Sequence, residues 1–326
     1  MDNPQLSIVI PAFNEEEALP HAIDRIRTVV AEQMSIGAGV EIIVVSDGST
    51  DDTFSVAVEA LGEDLPGRII EFVGNAGSHA AIRCGLGQTR GDAVAVISAD
   101  GQDSPEALPE MLAGLGNGVD VVWGRRARRD ADSRLTRMLA SAYYQLFRLL
   151  TGLRYPESGL DFVVMTRATV DAIGQYRERN LPLFLSIFNL GFGQAYVDYE
   201  RRARTAGTSG WTIGKKFRVA ADMLIAVSAA PLRLLSLIGA IVGIGGVIFG
   251  LVTIVRAILG RVADPGWSSL MTAISIMGGL ILVGLSILGE YVWRALDESR
   301  QRPLYIIKRQ SVVEPAVLPS ESEPRP

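Results

Sequence analysis

Cysteine, histidine and lysine are the scarce residues of this 326-residue chain. Its one cysteine, Cys84, excludes an internal disulfide and fits a reducing compartment. With only two histidines beside it, a structural zinc site lacks donors. No lysine occurs before residue 115, and the Gly-x-x-x-x-Gly-Lys-Ser/Thr loop of P-loop ATPases is absent. The stretch from Met1 to Gln5 is polar and leads straight into an apolar run, so no cleavable signal is expected.

Charge is unevenly placed around a net of −5. The chain is acidic up to about residue 115, and Arg125 to Arg218 is crowded with arginine. Such a division suits a metal-and-nucleotide end and a phosphate- or membrane-facing end, although solvated helix faces give the same pattern. Mean hydropathy is +0.26, and the apolar excess lies after Pro231. Leu234 to Val255 and Leu270 to Gly289 carry no charge until their ends and are each long enough to cross a bilayer. Gly239, Gly243, Gly246 and Gly250 recur at helical spacing, which suits close helix contact and a homo-oligomer. Arginine and lysine flank both spans, so both termini are expected in the cytoplasm, at the inner membrane. Thr212 to Ala229 reads as an amphipathic interface helix, and the tail after Val312 as disordered.

Ahead of the spans, apolar β runs alternate with helical patterns. Leu6–Phe13, Val40–Asp47, Arg68–Val73, Ala93–Ser98 and Asp120–Trp123 read as strands, with further ones at Leu160–Thr166 and Ala195–Arg204. Helices are expected over Glu15–Gln33, Ser78–Gln88, Pro105–Leu115 and Ser133–Thr151. The pattern predicts βαβ units and an α/β fold with a mostly parallel, Rossmann-like sheet. Ligands of such sheets bind beyond the carboxyl ends of the strands, where Asp47 and Asp100 fall. The expected organisation is a cytoplasmic domain over 1–211, the interface helix over 212–230, a membrane hairpin over 231–293 and a cytoplasmic tail over 294–326.

Four stretches stand out together: Pro11-Ala-Phe-Asn-Glu-Glu16, Val45-Ser-Asp-Gly-Ser-Thr-Asp-Asp-Thr53, Gly74-Asn-Ala-Gly-Ser-His-Ala-Ala-Ile-Arg-Cys-Gly85 and Val96-Ile-Ser-Ala-Asp-Gly-Gln-Asp-Ser-Pro-Glu106. Each alone could be a turn and a helix cap. In their order and spacing the chain resembles glycosyltransferase family 2, with the GT-A fold. Within it the chain looks like the polyprenyl-phosphate glycosyltransferases of the dolichyl-phosphate mannose synthase type, in the bacterial form with two membrane spans. The resemblance runs from residue 6 to about 308. It includes Arg126-x-x-Arg129, Gly159-Leu-Asp-Phe162, Arg201-x-x-Arg204-x-x-Gly207-x-Ser209 and Glu298-x-x-x-Arg302-Pro-Leu-Tyr305.

The resemblance implies roles for particular residues. Asp47 corresponds to the aspartate that accepts a hydrogen bond from the nucleotide base, with Pro11, Phe13 and Glu15 as the wall beside it and Asn75 opening the next loop. Asp100 and Gln102 align with the last two metal ligands of an Asp-x-Asp-x-Gln pattern, for Mg²⁺ or Mn²⁺. Arg126, Arg129, Asp100 and Asp161 would serve catalysis, and Arg201, Arg204, Ser209 and Lys215 would hold the lipid phosphate. Three departures accompany it: Ser98 replaces the first metal ligand, Val163 an arginine after Asp-Phe, and Gly74 an arginine before Asn75. The implied reaction moves one sugar from a nucleotide sugar to a polyprenyl phosphate at the cytoplasmic face of the lipid bilayer, with inversion; no nucleic acid is involved. A catalytically weak, nucleotide-sugar-binding membrane partner of a glycan assembly complex is the alternative that Ser98 and Val163 raise.

Overall fold

The structure, a computed structural model, describes residues 4–34, 39–62, 65–126, 145, 148–149, 162–176, 178, 182–200, 230–259 and 266–313. The chain forms two compact units, one of residues up to 145, 153–210 and 303 onward, the other of 146–152 and 211–302.

The first unit is built on an eight-stranded sheet. Its strands are β1 Leu6–Ala12, β2 Val40–Ser46, β3 Gly67–Phe72, β4 Ala93–Val96, β5 Val121–Arg126, β6 Val163–Thr166, β7 Gln194–Tyr199 and β8 Ile307–Val313. Their order is β7-β5-β6-β4-β1-β2-β3-β8. Only β6 and β8 run against the rest, since β4 pairs β6, β5 pairs β6 and β3 pairs β8 antiparallel while the other neighbours are parallel. Leu6-Ser-Ile-Val-Ile and Val40-Glu-Ile-Ile-Val-Val are nearly continuous apolar runs because both faces of the central strands are covered. Helices α1 Leu19–Gln33 and α2 Thr53–Leu61 share one buried cluster with Ile8, Ile10, Ile42 and Val44. Helix α3, Ser78–Leu86, covers the opposite face with Val9, Val45 and Trp123. A 3₁₀ turn at Pro105–Ala107 leads into α4 Leu108–Ala113, and α5 Arg167–Gly174 and α6 Leu183–Asn189 follow β6.

Ser7 and Glu41 are among the polar residues buried in these strands, and the two are partners. Ser7 donates to Glu41 at 2.6 Å, and Arg90 closes on the same carboxylate through its backbone N–H and guanidinium. The sheet's edge strand β8 has no counterpart in the sequence expectation, because five of its seven residues are exposed and its apolar alternation is weak. Glu71, buried in β3, holds it through Lys308 and Arg309, and Tyr305 stacks on Phe72 with ring centroids 4.6 Å apart. Helices α5 and α6 were likewise not foreseen.

The second unit contributes α7, Ala230–Ile258, and α8, Trp267–Ser299, which touch each other. Among the described residues one segment, Ile276–Ser299, is long and apolar enough to cross a membrane, and the apolar stretch Ser236–Val252 of α7 is shorter. The paired spans expected from sequence therefore have one counterpart that meets that length. The expected helices over Ser133–Thr151 and Thr212–Ala229 lie outside the described residues, apart from residues 145, 148 and 149.

Candidate active site

The loops that leave β4, β1, β2 and β3, four neighbours in the sheet, bring the sequence motifs together. At β1, Asn14 takes a positive φ of 55° and knits the first loop to the second. Its backbone N–H donates to Ser49 Oγ at 3.1 Å, and its side-chain oxygen accepts from the Thr50 N–H at 2.8 Å. Glu16 and Asp52 extend the seam, with the Asp52 N–H donating to Glu16 Oε2 at 3.0 Å. Pro11 lies near the end of β1, and Phe13 and Glu15 lie on the loop that follows it. Phe13 is 45% exposed although it is a large apolar ring.

Asp47 follows β2 and is 3% exposed. Its two carboxylate oxygens accept the backbone N–H groups of Ala76 and Gly77, at 2.6 and 2.8 Å. Burial pushes its carboxyl above the ordinary value of 3.8, against the opposing pull of those two donors. The next residue explains how the loops approach so closely. Gly48 has φ 66°, and a Cβ there would stand 2.3 Å from the Gly74 carbonyl carbon. Any side chain would push the Gly74–Asn75 backbone away. Asn75 itself is exposed, and a Cβ on Gly74 would meet nothing within 4 Å, so that position has room for a side chain.

Asp100 follows β4 and is 7% exposed. Its Oδ1 accepts the Ser98 hydroxyl at 2.7 Å and the Gln102 N–H at 3.1 Å. Ser98 thus aims a donor at the carboxylate where a second carboxylate was expected to aim charge. Asp103, near enough in sequence to suggest a further ligand, is used otherwise. It accepts the Ser98 N–H at 2.9 Å and the Tyr199 hydroxyl at 2.9 Å, and it is 2% exposed. Arg25 of α1 clamps the same loop through the carbonyls of Gly101 and Asp103 and a two-pronged pair with Glu106, at 2.8 and 2.9 Å. Ser104 donates to the Glu200 carbonyl at 2.8 Å, tying the loop to the end of β7. Sequence reasoning overlooked Arg25 and Tyr199; their partners are far along the chain, and neither sits in a motif.

Among the described residues no three His, Cys, Asp or Glu side chains come together as a metal cage. The oxygen donors of Asp100 and Gln102 fit a hard cation that takes further oxygens from a bound diphosphate. Arg126 ends β5 in register with Tyr199, next to Arg125, which pairs with Asp198 at 2.6 Å. Phe162 is fully buried against Tyr199, with ring centroids 5.4 Å apart. Val163 is fully buried in the sheet and serves packing. Asp161, Arg129, Arg201, Arg204, Ser209 and Lys215 lie outside the described residues.

The sequence pattern of Glycosyl transferase family 2 matches residues 7–174, which span all of these loops. The chain belongs to glycosyl transferase family 2. As a glycosyltransferase of this family it has the GT-A-like α/β sheet that its motifs imply. It is 34% identical over 306 residues to a prophage bactoprenol glucosyl transferase homolog of Escherichia coli, covering 94% of this chain and 99% of that one. A bactoprenol glucosyl transferase of Shigella phage SfV is 34% identical over 307 residues, with the same coverage. An uncharacterized glycosyltransferase of Bacillus subtilis is 30% identical over 311 residues, covering 95% of each chain.

Proposed function

We propose that this glycosyltransferase moves a single sugar from a nucleotide sugar to a polyprenyl phosphate at the cytoplasmic face of the membrane. One observation carries the acceptor: the likeness to bactoprenol glucosyl transferases runs over nearly the whole of both chains, membrane-type helices included. Within α7 and α8, apolar side chains such as Ile241, Phe249, Leu282 and Val283 are exposed, which suits two helices in lipid. Both helices would span the bilayer, with both termini cytoplasmic and 212–230 lying in the interface.

In this reading a phosphate oxygen of the acceptor attacks the anomeric carbon from the face opposite the leaving group. The new C–O bond forms, the bond to the nucleoside diphosphate breaks with its electron pair on the departing oxygen, and configuration inverts. The acceptor is already anionic near neutral pH, so orientation and charge stabilisation matter more than a strong base. Asp47 accepts from the nucleotide base, with Pro11, Phe13, Glu15 and Asn75 around it. Asp100 and Gln102 would hold Mg²⁺ or Mn²⁺, which when bound offsets charge on the leaving diphosphate. Arg126, Arg129 and Asp161 orient the reacting groups, and Arg201, Arg204, Ser209 and Lys215 hold the lipid phosphate.

Incubating the purified chain with undecaprenyl phosphate and a panel of UDP-, GDP- and dTDP-sugars tests this, with lipid-linked sugar read by mass spectrometry. A product that chelator abolishes is expected. Nucleotide binding across the panel with no lipid product would reject the reading in favour of a binding partner in glycan assembly.

A further inference from the structure

The first unit carries a cavity of about 1050 Å³ between α3, α5 and residues 303–305. Two of its lining residues, Thr89 and Arg90, stand ahead of Ala93, where β4 begins, whereas Asp100 follows that strand's other end. Arg167 follows β6, which runs against β4, and so belongs to the same end as Thr89. Thr89, Arg90 and Arg167 therefore lie at the amino-terminal end of β4, the end opposite Asp100.

Three guanidinium groups line it, those of Arg83, Arg90 and Arg167, against one carboxylate, Asp171. Arg90 is neutralised from behind by buried Glu41 at 3.0 Å. Arg167 reaches Asp171 at 3.1 Å and donates to the carbonyl and hydroxyl of Thr89 at 2.8 and 3.0 Å. The atom that faces Asp171 is the buried Nε, and that contact lacks good hydrogen-bond geometry. Among the described residues Arg83 donates to the carbonyls of Tyr176 and Glu178, which are neutral acceptors. The lining thus holds an excess of positive charge in donors shaped for a phosphate. Leu86, Leu304 and the Tyr305 ring supply an apolar wall beside it. Leu304 and Tyr305 belong to the segment that links α8 to β8.

We propose that this cavity binds a phosphate group, held on Arg83 and Arg167, with Leu86 and Leu304 beside it as the wall an attached lipid body would lie along. The site is separate from the transfer site and does not depend on the acceptor proposed above. Its phosphate could come from a membrane lipid headgroup or from a free anion, and the test separates the two.

The full chain in neutral detergent is titrated with phosphatidylglycerol, with inorganic phosphate and with uncharged diacylglycerol, following thermal stabilisation. Saturable stabilisation by phosphatidylglycerol is expected, with none from diacylglycerol. Arg167→Gln should weaken it about tenfold. Asp171→Asn, at an exposed side chain where folding is not at stake, should tighten it about threefold by removing the lining's one carboxylate. The same two responses with inorganic phosphate alone would support the site and assign it to a free anion. No saturable response to either phosphate, or a response that both substitutions leave unchanged, would overturn the proposal.

Discussion

The Tyr199 hydroxyl donates to Asp103 Oδ1 at 2.9 Å, joining the end of β7 to the acidic loop after β4. Both groups are buried, and the other oxygen of Asp103 accepts the Ser98 N–H. The loop that presents Asp100 is therefore fixed from the far side of the sheet, by a residue adjoining the basic segment that begins at Arg201.

Tyr199→Phe should keep the ring contact with Phe162 and lose only the phenolic donor. Leaving a buried carboxylate oxygen short of that partner costs about 1–3 kcal/mol. The expected result is a lower melting temperature together with a several-fold fall in kcat/KM for the nucleotide sugar. An unchanged melting curve and unchanged kinetics would show that the bond does not hold the loop.

Asp47 gives a pH dependence whose sign follows from its burial. A carboxyl raised above 3.8 binds its proton more tightly in the folded chain than in the unfolded one. Its contribution to stability is thus fully present below pH 3.8 and is lost as pH rises through the raised folded value. At neutral pH the ionised group is a standing cost to the fold, partly offset by the Ala76 and Gly77 donors, which is what a ligand-binding carboxylate would show. Donor affinity should fall on acidification at a higher pH than an exposed aspartate would give, and Asp47→Asn should flatten that limb. Equilibrium binding of nucleotide diphosphate across pH 4–7 checks both; a limb that Asp47→Asn leaves in place would assign it to another group.

The central sheet was legible because its strands are buried on both faces and read as unbroken apolar runs, as in Ile42 to Val45. Asp47 and Asp100 were legible as acids at strand ends. What escaped were partners set by tertiary contact. Arg25, Tyr199 and Glu71 meet their partners across 76 to 238 positions of chain, and no local pattern marks such pairs. Strand β8 escaped for a related reason. It is an exposed edge whose charges, Lys308 and Arg309, resemble the basic flank of a membrane helix until Glu71 is seen beneath them.

Glu71→Gln should loosen that edge. Its carboxylate is buried and faces two half-exposed cations, so removing its charge weakens two charge-assisted hydrogen bonds without stranding a buried ion. The cost is about 1–3 kcal/mol. Amide hydrogen exchange in β8 should quicken while that in β1 and β2 stays protected. Equal exchange in both proteins would mean that the Tyr305–Phe72 stack and the strand ladder hold β8 by themselves.

Ser98→Asp would restore the carboxylate pair that the sequence pattern leads one to expect. The wild-type Ser98 hydroxyl donates to Asp100 Oδ1, so the substitution exchanges a hydrogen bond for repulsion between two carboxylates. Without a cation the variant should be destabilised by about 1 kcal/mol. Its affinity for Mn²⁺ alone should rise about tenfold, because a second anionic oxygen joins Asp100. Once a nucleotide diphosphate is present the gap should narrow, since the diphosphate supplies the oxygens and charge that serine lacks. Calorimetric titration of Mn²⁺ with and without the nucleotide separates these cases. Equal Mn²⁺ affinity for both proteins in the absence of nucleotide would mean that the position of Ser98 takes no part in holding a cation.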